Sequence, residues 1–271
     1  EPAGPMPFTV VDLSHAAAET VEARAMAEAL RPFDLGTAPL CRFTLLRLAD
    51  ERHLAIFVVH HIVADGWSMG VLLAELGALY AGAGDALPPL DIDYGDYALW
   101  QRELLAGPEL DRQIAFWTRE LADAPALLAL PTDRPRPPEQ SHRGGLHPVV
   151  LPPALAARIA AFAHDRHASV FTVLIAAWTA TLARWSGQDD LVVGTAMAGR
   201  TDSRLEPLVG LFVNTLPIRA TIDMTAGFAT LVEDLRDRML DVHAHQDVPF
   251  EKLVEALRPP RDPGQHPLFQ T

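Results

Sequence analysis

The sequence lacks most of what secreted, metal-built or membrane folds rely on. It has one cysteine, Cys41, in 271 residues, so it forms no intrachain disulfide and offers no thiolate cluster for zinc. Basic residues are also scarce, with 22 Lys and Arg against 35 Asp and Glu, a formal net charge of -13. Such a surface repels phosphates unless a local basic patch overrides it. No such patch is present, and nucleic acid is not an expected partner. Long apolar runs are missing as well: nothing approaches the roughly 20 residues of a membrane span. The opening EPAGPMPFTVVDL has no basic region followed by an apolar one, as a secretory leader would. Together these absences lead to the expectation of a cytoplasmic protein with no membrane contact. Residue 1 is not methionine, and HPLFQT at the other end reads as the start of an apolar strand, so both ends read as cut.

What remains is ordinary globular material, 49% hydrophobic and 21% charged, in a chain long enough for one large domain or two lobes. Residues 15–31 are rich in alanine and glutamate and predict a helix. CRFTLLRLAD and RHLAIFVVHH predict a hairpin turning at Asp50 and Glu51. A helix is expected from Ser68 to about Tyr80 and one or two more over 94–121. Prolines at 125, 131, 135, 137, 138 and 148 then exclude helix and central strand. Beyond them the pattern predicts a strand (HPVVLP), two helices (ALAARIAAFAHDR and SVFTVLIAAWTATLARWSG), two strands (DLVVGTAMA and LFVNTLPIRA), a helix over GFATLVEDLRDRMLDVHAH and a short one near PFEKLVEAL. The expected organisation is α/β in two lobes: 1–121, an inter-lobe linker at 122–145, and 146–271.

The stretch VVHHIVADGWSMG (58–70) stands where an apolar strand gives way to a loop, a place where sites are commonly built. Taken alone, a histidine at a strand end is more often structural than catalytic. An adjacent pair, however, can present one ring to the core and the other to a cleft, where imidazole is suited to proton transfer near neutrality. Asp65 suits either of two roles, orienting His61 across a tight loop or anchoring a distant cation. Gly66 is expected to adopt a backbone angle other residues resist, and Ser68 to cap the following helix. As a metal site the stretch is poor, because neighbouring strand residues point to opposite faces and H-E-x-x-H spacing is absent. No G-x-S-x-G elbow is present, and Cys41 has no base beside it.

HHIVADGWS resembles the HHxxxDG signature of condensation domains of nonribosomal peptide synthetases. Further family motifs follow in order: YGDYALWQ (94–101), VGLFVNTLPIR (209–219), HQDVPFE (245–251) and RDPGQHPLFQ (261–270), the last with Gly264 where the family has serine. Two family motifs upstream of HHxxxDG, and strands after the last motif, are not found, so the chain reads as an internal fragment.

The resemblance implies two chloramphenicol acetyltransferase-like lobes in a V, with an active-site tunnel between them. It implies an acyltransferase joining a donor thioester to the α-amino group of an acceptor. Both substrates arrive on phosphopantetheine arms of upstream and downstream carrier proteins, with no cofactor bound by the domain itself and an adenylation domain adjacent. By carry-over His61 is the reacting histidine and Gly66 offers a backbone amide to the thioester. His60, Asp65 and Arg219 are structural at the site, with Arg219 the expected partner of Asp65. Trp67, Ser68 and Asn214 are tunnel candidates, Asn214 suiting substrate binding and backbone pairing equally. Tyr94, Tyr97 and Trp100 read as core aromatics, and His245, Gln246 and Asp247 as a helix-ending cap. Epimerisation of a carrier-bound residue and non-catalytic recruitment of a partner enzyme are the alternatives within the superfamily.

Overall fold

The structure, a computed structural model, describes residues 6–141, 143–260 and 262–271; Arg261, which opens the last motif, lies outside them. The chain divides into two compact units, one of residues 1–97 with 200–212, the other of 98–199 with 213–271. This division does not fall at the proline-rich stretch, which lies within the second unit.

In the first unit β1 (Phe8–Asp12), α1 (Ala18–Leu30), β2 (Cys41–Ala49) and β3 (Arg52–Val59) form a three-stranded sheet with one helix. β2 and β3 pair antiparallel from Cys41 opposite Val59 to Arg47 opposite His53, which is the predicted hairpin. β1 runs parallel to β2 and was not expected, since five residues carry too short an alternation to stand out. The C-terminal end of α1 is tied down by Arg42, which is buried, stacks 4.1 Å from the centre of the Phe33 ring and donates to the Glu28 and Arg31 carbonyls. Those carbonyls would otherwise end the helix unsatisfied. β3 leads through a 3-10 turn (His61–Val63) into α2 (Gly66–Tyr80), and α3 (Tyr94–Leu104) opens in this unit.

The second unit continues with α4 (Pro108–Glu120), α5 (Pro153–Asp165), α6 (Val170–Ser186), β4 (Asp190–Met197), β5 (Asn214–Thr221), α7 (Phe228–His243) and α8 (Phe250–Leu257). β4 and β5 are antiparallel, α6 packs on β4, and α7 and α8 pack on β5. Three consecutive residues of β4, Leu191, Val192 and Val193, are buried, as expected of a strand covered on both faces. Among the described residues no single helix is long and apolar enough to cross a membrane.

Two expected strands differ. HPVVLP forms no strand, leaving Val149 76% and Val150 88% exposed, because no described segment offers its backbone a ladder partner. β5 begins at Asn214 rather than Leu211, because the backbone groups of Gly210 and Phe212 bond elsewhere, to the loop at Asp65. Leu216 is fully buried in the second unit's core and Leu240 is 66% exposed. Leu216→Ala is expected to cost about 2–5 kcal/mol in urea denaturation, whereas Leu240→Ala should stay within about 0.5 kcal/mol of the parent.

Candidate active site

The paired histidines part company at the end of β3. The His60 N–H still bonds the Leu40 carbonyl at 2.9 Å, extending the ladder by one step. Its ring Nδ1 then accepts the Ile62 N–H at 3.1 Å, capping the 3-10 turn, while the ring edge meets Phe33. His61 is exposed, and its ring makes no hydrogen bond among the described residues. One imidazole is thus structural, and its neighbour has no hydrogen-bond partner among the described residues.

Asp65 is the N-cap of α2. Its Oδ1 accepts the Ser68 N–H at 2.9 Å, and its own N–H donates to the Gly210 carbonyl at 3.2 Å. Oδ2 accepts the Phe212 N–H at 3.1 Å. The Arg200 guanidinium reaches Oδ1 at 3.2 Å, in a pair whose side chains are only 1% and 4% exposed. Arg200 also donates to the carbonyls of Leu205 and Leu208 and stacks 4.1 Å from the centre of the Phe212 ring. Burial pushes the Asp65 carboxyl upward. The Ser68 N–H and hydroxyl, the Phe212 N–H and the Arg200 cation outweigh it and hold the group below its ordinary value.

Arg219 is therefore not the partner of Asp65. It grips Asp190 with Nε at 2.9 Å and a terminal nitrogen at 2.7 Å, and donates to the Ala122 and Glu120 carbonyls. The cause is register: Arg219 stands opposite Val192, which places Asp190 diagonally across on the same face of the β4–β5 pair. Nothing in the spacing marked Arg200, which follows β4 in a loop.

The remaining candidates separate clearly. Ser68 is fully buried, so it lines no tunnel; its Oγ sits within 3.0 Å of Asp65 Oδ1, the Gly210 carbonyl, the Gly210 N–H and Arg200. A hydroxyl has one proton, which serves Asp65 or Gly210 in turn while the oxygen accepts from the other two. Asn214 is occupied by backbone, donating to the Gln246 and Val248 carbonyls and accepting the Phe250 N–H. Trp67 is 49% exposed, with its indole N–H on the Glu206 carbonyl at 2.9 Å. Gly66 does not hold an unusual angle, since the left-handed glycines among the described residues are Gly82, Gly187 and Gly199. Its contribution is space: a Cβ there would meet nothing within 4 Å. The Gly66 and Trp67 N–H groups open α2 and donate to no described residue, which leaves two free donors and the positive end of a 15-residue helix. Such a loop presents an exposed imidazole and amide donors beside a buried hydrogen-bonded framework.

The HQD motif caps α7 through two of its side chains, with the His245 ring Nδ1 2.7 Å from the Asp241 carbonyl and Gln246 Nε2 donating to the His243 carbonyl at 2.9 Å, and it also fastens neighbouring elements. His245 stacks on Phe116 at 3.9 Å and contacts Arg112, and Asp247 accepts from Gln113, so these side chains fasten α4 to the α7–α8 connection. Among the described residues no three His, Cys, Asp or Glu side chains converge as a metal site requires.

Removing Asp65 leaves a buried guanidinium, so Asp65→Ala is expected to destabilise by about 3–5 kcal/mol in chemical denaturation. In double-mutant cycles Asp65→Ala should couple to Arg200→Ala by about 0.5–3 kcal/mol and be additive with Arg219→Ala. A carboxyl depressed in the folded state stabilises above its ordinary pKa and loses that contribution as pH falls through the folded value. The gap between the parent and Asp65→Ala should therefore narrow from pH 7 toward about pH 3.

Residues 2–271 match the family profile of the condensation domain. Among curated proteins the chain is 44% identical over 90% of its length to malpibaldin synthetase of Mortierella alpina and 41% identical over 89% to tyrocidine synthase 2 of Brevibacillus parabrevis. It spans only 4% of the first of those relatives and 7% of the second. Among solved structures it is similar to the X-domain of teicoplanin biosynthesis in complex with OxyB, with a TM-score of 0.87, 32% identity, and coverage of 98% of this chain and 60% of that one. It is also similar to a four-domain nonribosomal peptide synthetase bound to AMP and glycine, with a TM-score of 0.85, 26% identity, and coverage of 98% and 20%. The α/β chain, with its free histidine on a locked loop, belongs to the condensation-domain family of nonribosomal peptide synthetases, in the chloramphenicol acetyltransferase-like fold.

Proposed function

We propose that this chain carries the amide-forming loop of a condensation domain, joining a donor aminoacyl or peptidyl thioester to the α-amino group of an acceptor. The observation that carries this reading is the contrast within one loop: His60, Asp65 and Ser68 are held by protein partners, while the His61 ring and the Gly66 and Trp67 amides are not. The amine nitrogen attacks the thioester carbonyl carbon, the C–N bond forms, the C–S bond breaks and the thiol leaves. His61 takes the amine proton and returns it to the departing sulfur, a role worth about 10²–10⁴ in rate. The free amides at the start of α2 stabilise charge developing on the carbonyl oxygen. Holding the two reactants together contributes more than either, about 7 kcal/mol or above. The substrates reach the loop on phosphopantetheine arms of upstream and downstream carrier proteins, loaded by an adjacent adenylation domain.

A second reading, docking of a partner enzyme without chemistry, is favoured by the likeness to the X-domain solved with OxyB. The two readings predict different products. The full-length protein, offered donor and acceptor as carrier-bound thioesters, is expected to yield an amide of unchanged donor chirality, detected by mass and chiral analysis. His61→Ala should lower that yield by about 10²-fold or more. No amide together with tight partner binding would select the docking module, and an inverted donor would select epimerisation. A pH-rate profile flat through the histidine range, with amide still formed, would assign His61 to positioning rather than to proton transfer.

A further inference from the structure

Gly210 is bound to the loop through both of its backbone groups. Its carbonyl accepts the Asp65 N–H at 3.2 Å and faces the Ser68 hydroxyl at 2.9 Å, and its N–H donates to Ser68 Oγ at 3.0 Å. Whatever fixes Gly210 thus fixes the start of α2. On its other side lies Tyr94: a Cβ built on Gly210 would come within 2.1 Å of Tyr94 Cδ2 and 2.4 Å of Cε2. Gly210 is not among the left-handed glycines, so space rather than backbone angle excludes a side chain here. Tyr94 is itself held. Its hydroxyl donates to the Leu211 carbonyl at 2.8 Å, its ring meets the edge of Phe212 at 5.2 Å, and Tyr97 closes on Phe212 at 4.7 Å. Tyr97, Leu205, Leu208 and Phe212 form the small core beneath it.

We infer that Tyr94 is a positioning residue for the amide-forming loop, acting through Gly210: the ring seats the Gly210 backbone, which holds Asp65 and Ser68 and through them the free amides of Gly66 and Trp67. This rests on the function proposed above, and it gives YGDYALWQ and VGLFVNTLPIR one joint task on HHIVADGWS. Burial and the Asp65 carboxylate push the Tyr94 phenol up, which keeps its hydroxyl a donor.

The test compares Gly210→Ala, Tyr94→Leu and the double variant in the full-length protein by two readouts. The first is hydrogen exchange at the Asp65 and Ser68 amides, which needs no activity. The second is the single-turnover rate of amide formation against carrier concentration. Gly210→Ala, which drives a methyl into the ring, is expected to raise exchange and to lower the saturating rate by about tenfold, leaving half-saturation unchanged. Adding Tyr94→Leu removes the ring that the methyl meets most closely and leaves the milder approach to Phe212 Cε2 at 3.0 Å, so the double variant should lose less than the product of the two single losses. Multiplicative losses, or exchange unaltered by Gly210→Ala, would overturn the inference. A parent protein that makes no amide but shows the exchange coupling would sink the proposed reaction and leave the positioning role standing.

Discussion

A buried carboxylate must be satisfied or it unfolds what surrounds it, and the first unit is arranged to satisfy one. Asp65 receives the Ser68 and Phe212 N–H groups and the Arg200 guanidinium, and it faces the Ser68 hydroxyl. The donors come from three residues, Ser68, Arg200 and Phe212. Together they fix where α2 starts and hold residues 200–212 against residues 65–68, although 200–212 follow β4 of the other unit in sequence. Charge-assisted bonds in a poorly hydrated place tolerate little displacement. The same four groups that answer a desolvation cost therefore also fix the geometry of the exposed loop residues. Stability and positioning are one demand here.

That arrangement explains why adjacent residues behave so differently. The turn at His61–Val63 needs one acceptor, which His60 supplies, and its neighbour's ring is left without a structural task. The start of α2 has N–H groups without helical partners; Asp65 satisfies that of Ser68, and those of Gly66 and Trp67 remain. Gly66 leaves the space beyond its Cα empty. The His61 ring and the Gly66 and Trp67 amides have no partner among the described residues, while their neighbours take up the local hydrogen-bonding obligations.

Local patterns were legible in the sequence and distant pairings were not. The hairpin, α2 and the helices on either side of β4 follow from period and caps, which lie within a few residues of one another. The family was equally legible, since HHxxxDG and the motifs that follow it are each short stretches. The partner of Asp65 depended on which arginine the fold carries to it. Arg219, the partner expected from the sequence, is committed by the β4–β5 register to Asp190, and Arg200, which no local pattern marks, pairs with Asp65 instead. Ser68 and Asn214 were misread or left open for a similar reason: a hydroxyl or amide suits substrate and backbone alike, and burial decides. β1 and the unpaired HPVVLP segment show the converse, since a strand exists only where another strand meets it.

The second unit uses the same device without a reactive group. Gln113, fully buried on α4, accepts the Val248 N–H at 2.7 Å and donates to Asp247. Asn214 on β5 takes the carbonyls of Gln246 and Val248, and the Trp117 indole takes that of His245. Residues 245–249 are thus a loop into α8 whose backbone is satisfied by side chains from two elements, as residues 208–212 are by Ser68, Asp65, Arg200 and Tyr94. The difference lies in what is left over. Around 245–250 the side chains of the motif are themselves engaged, His245 by Phe116 and Arg112 and Asp247 by Gln113, which makes HQDVPFE a fastening. Around 60–68 an imidazole and two amides are left without a partner among the described residues, and it is on these groups that the proposed reaction rests.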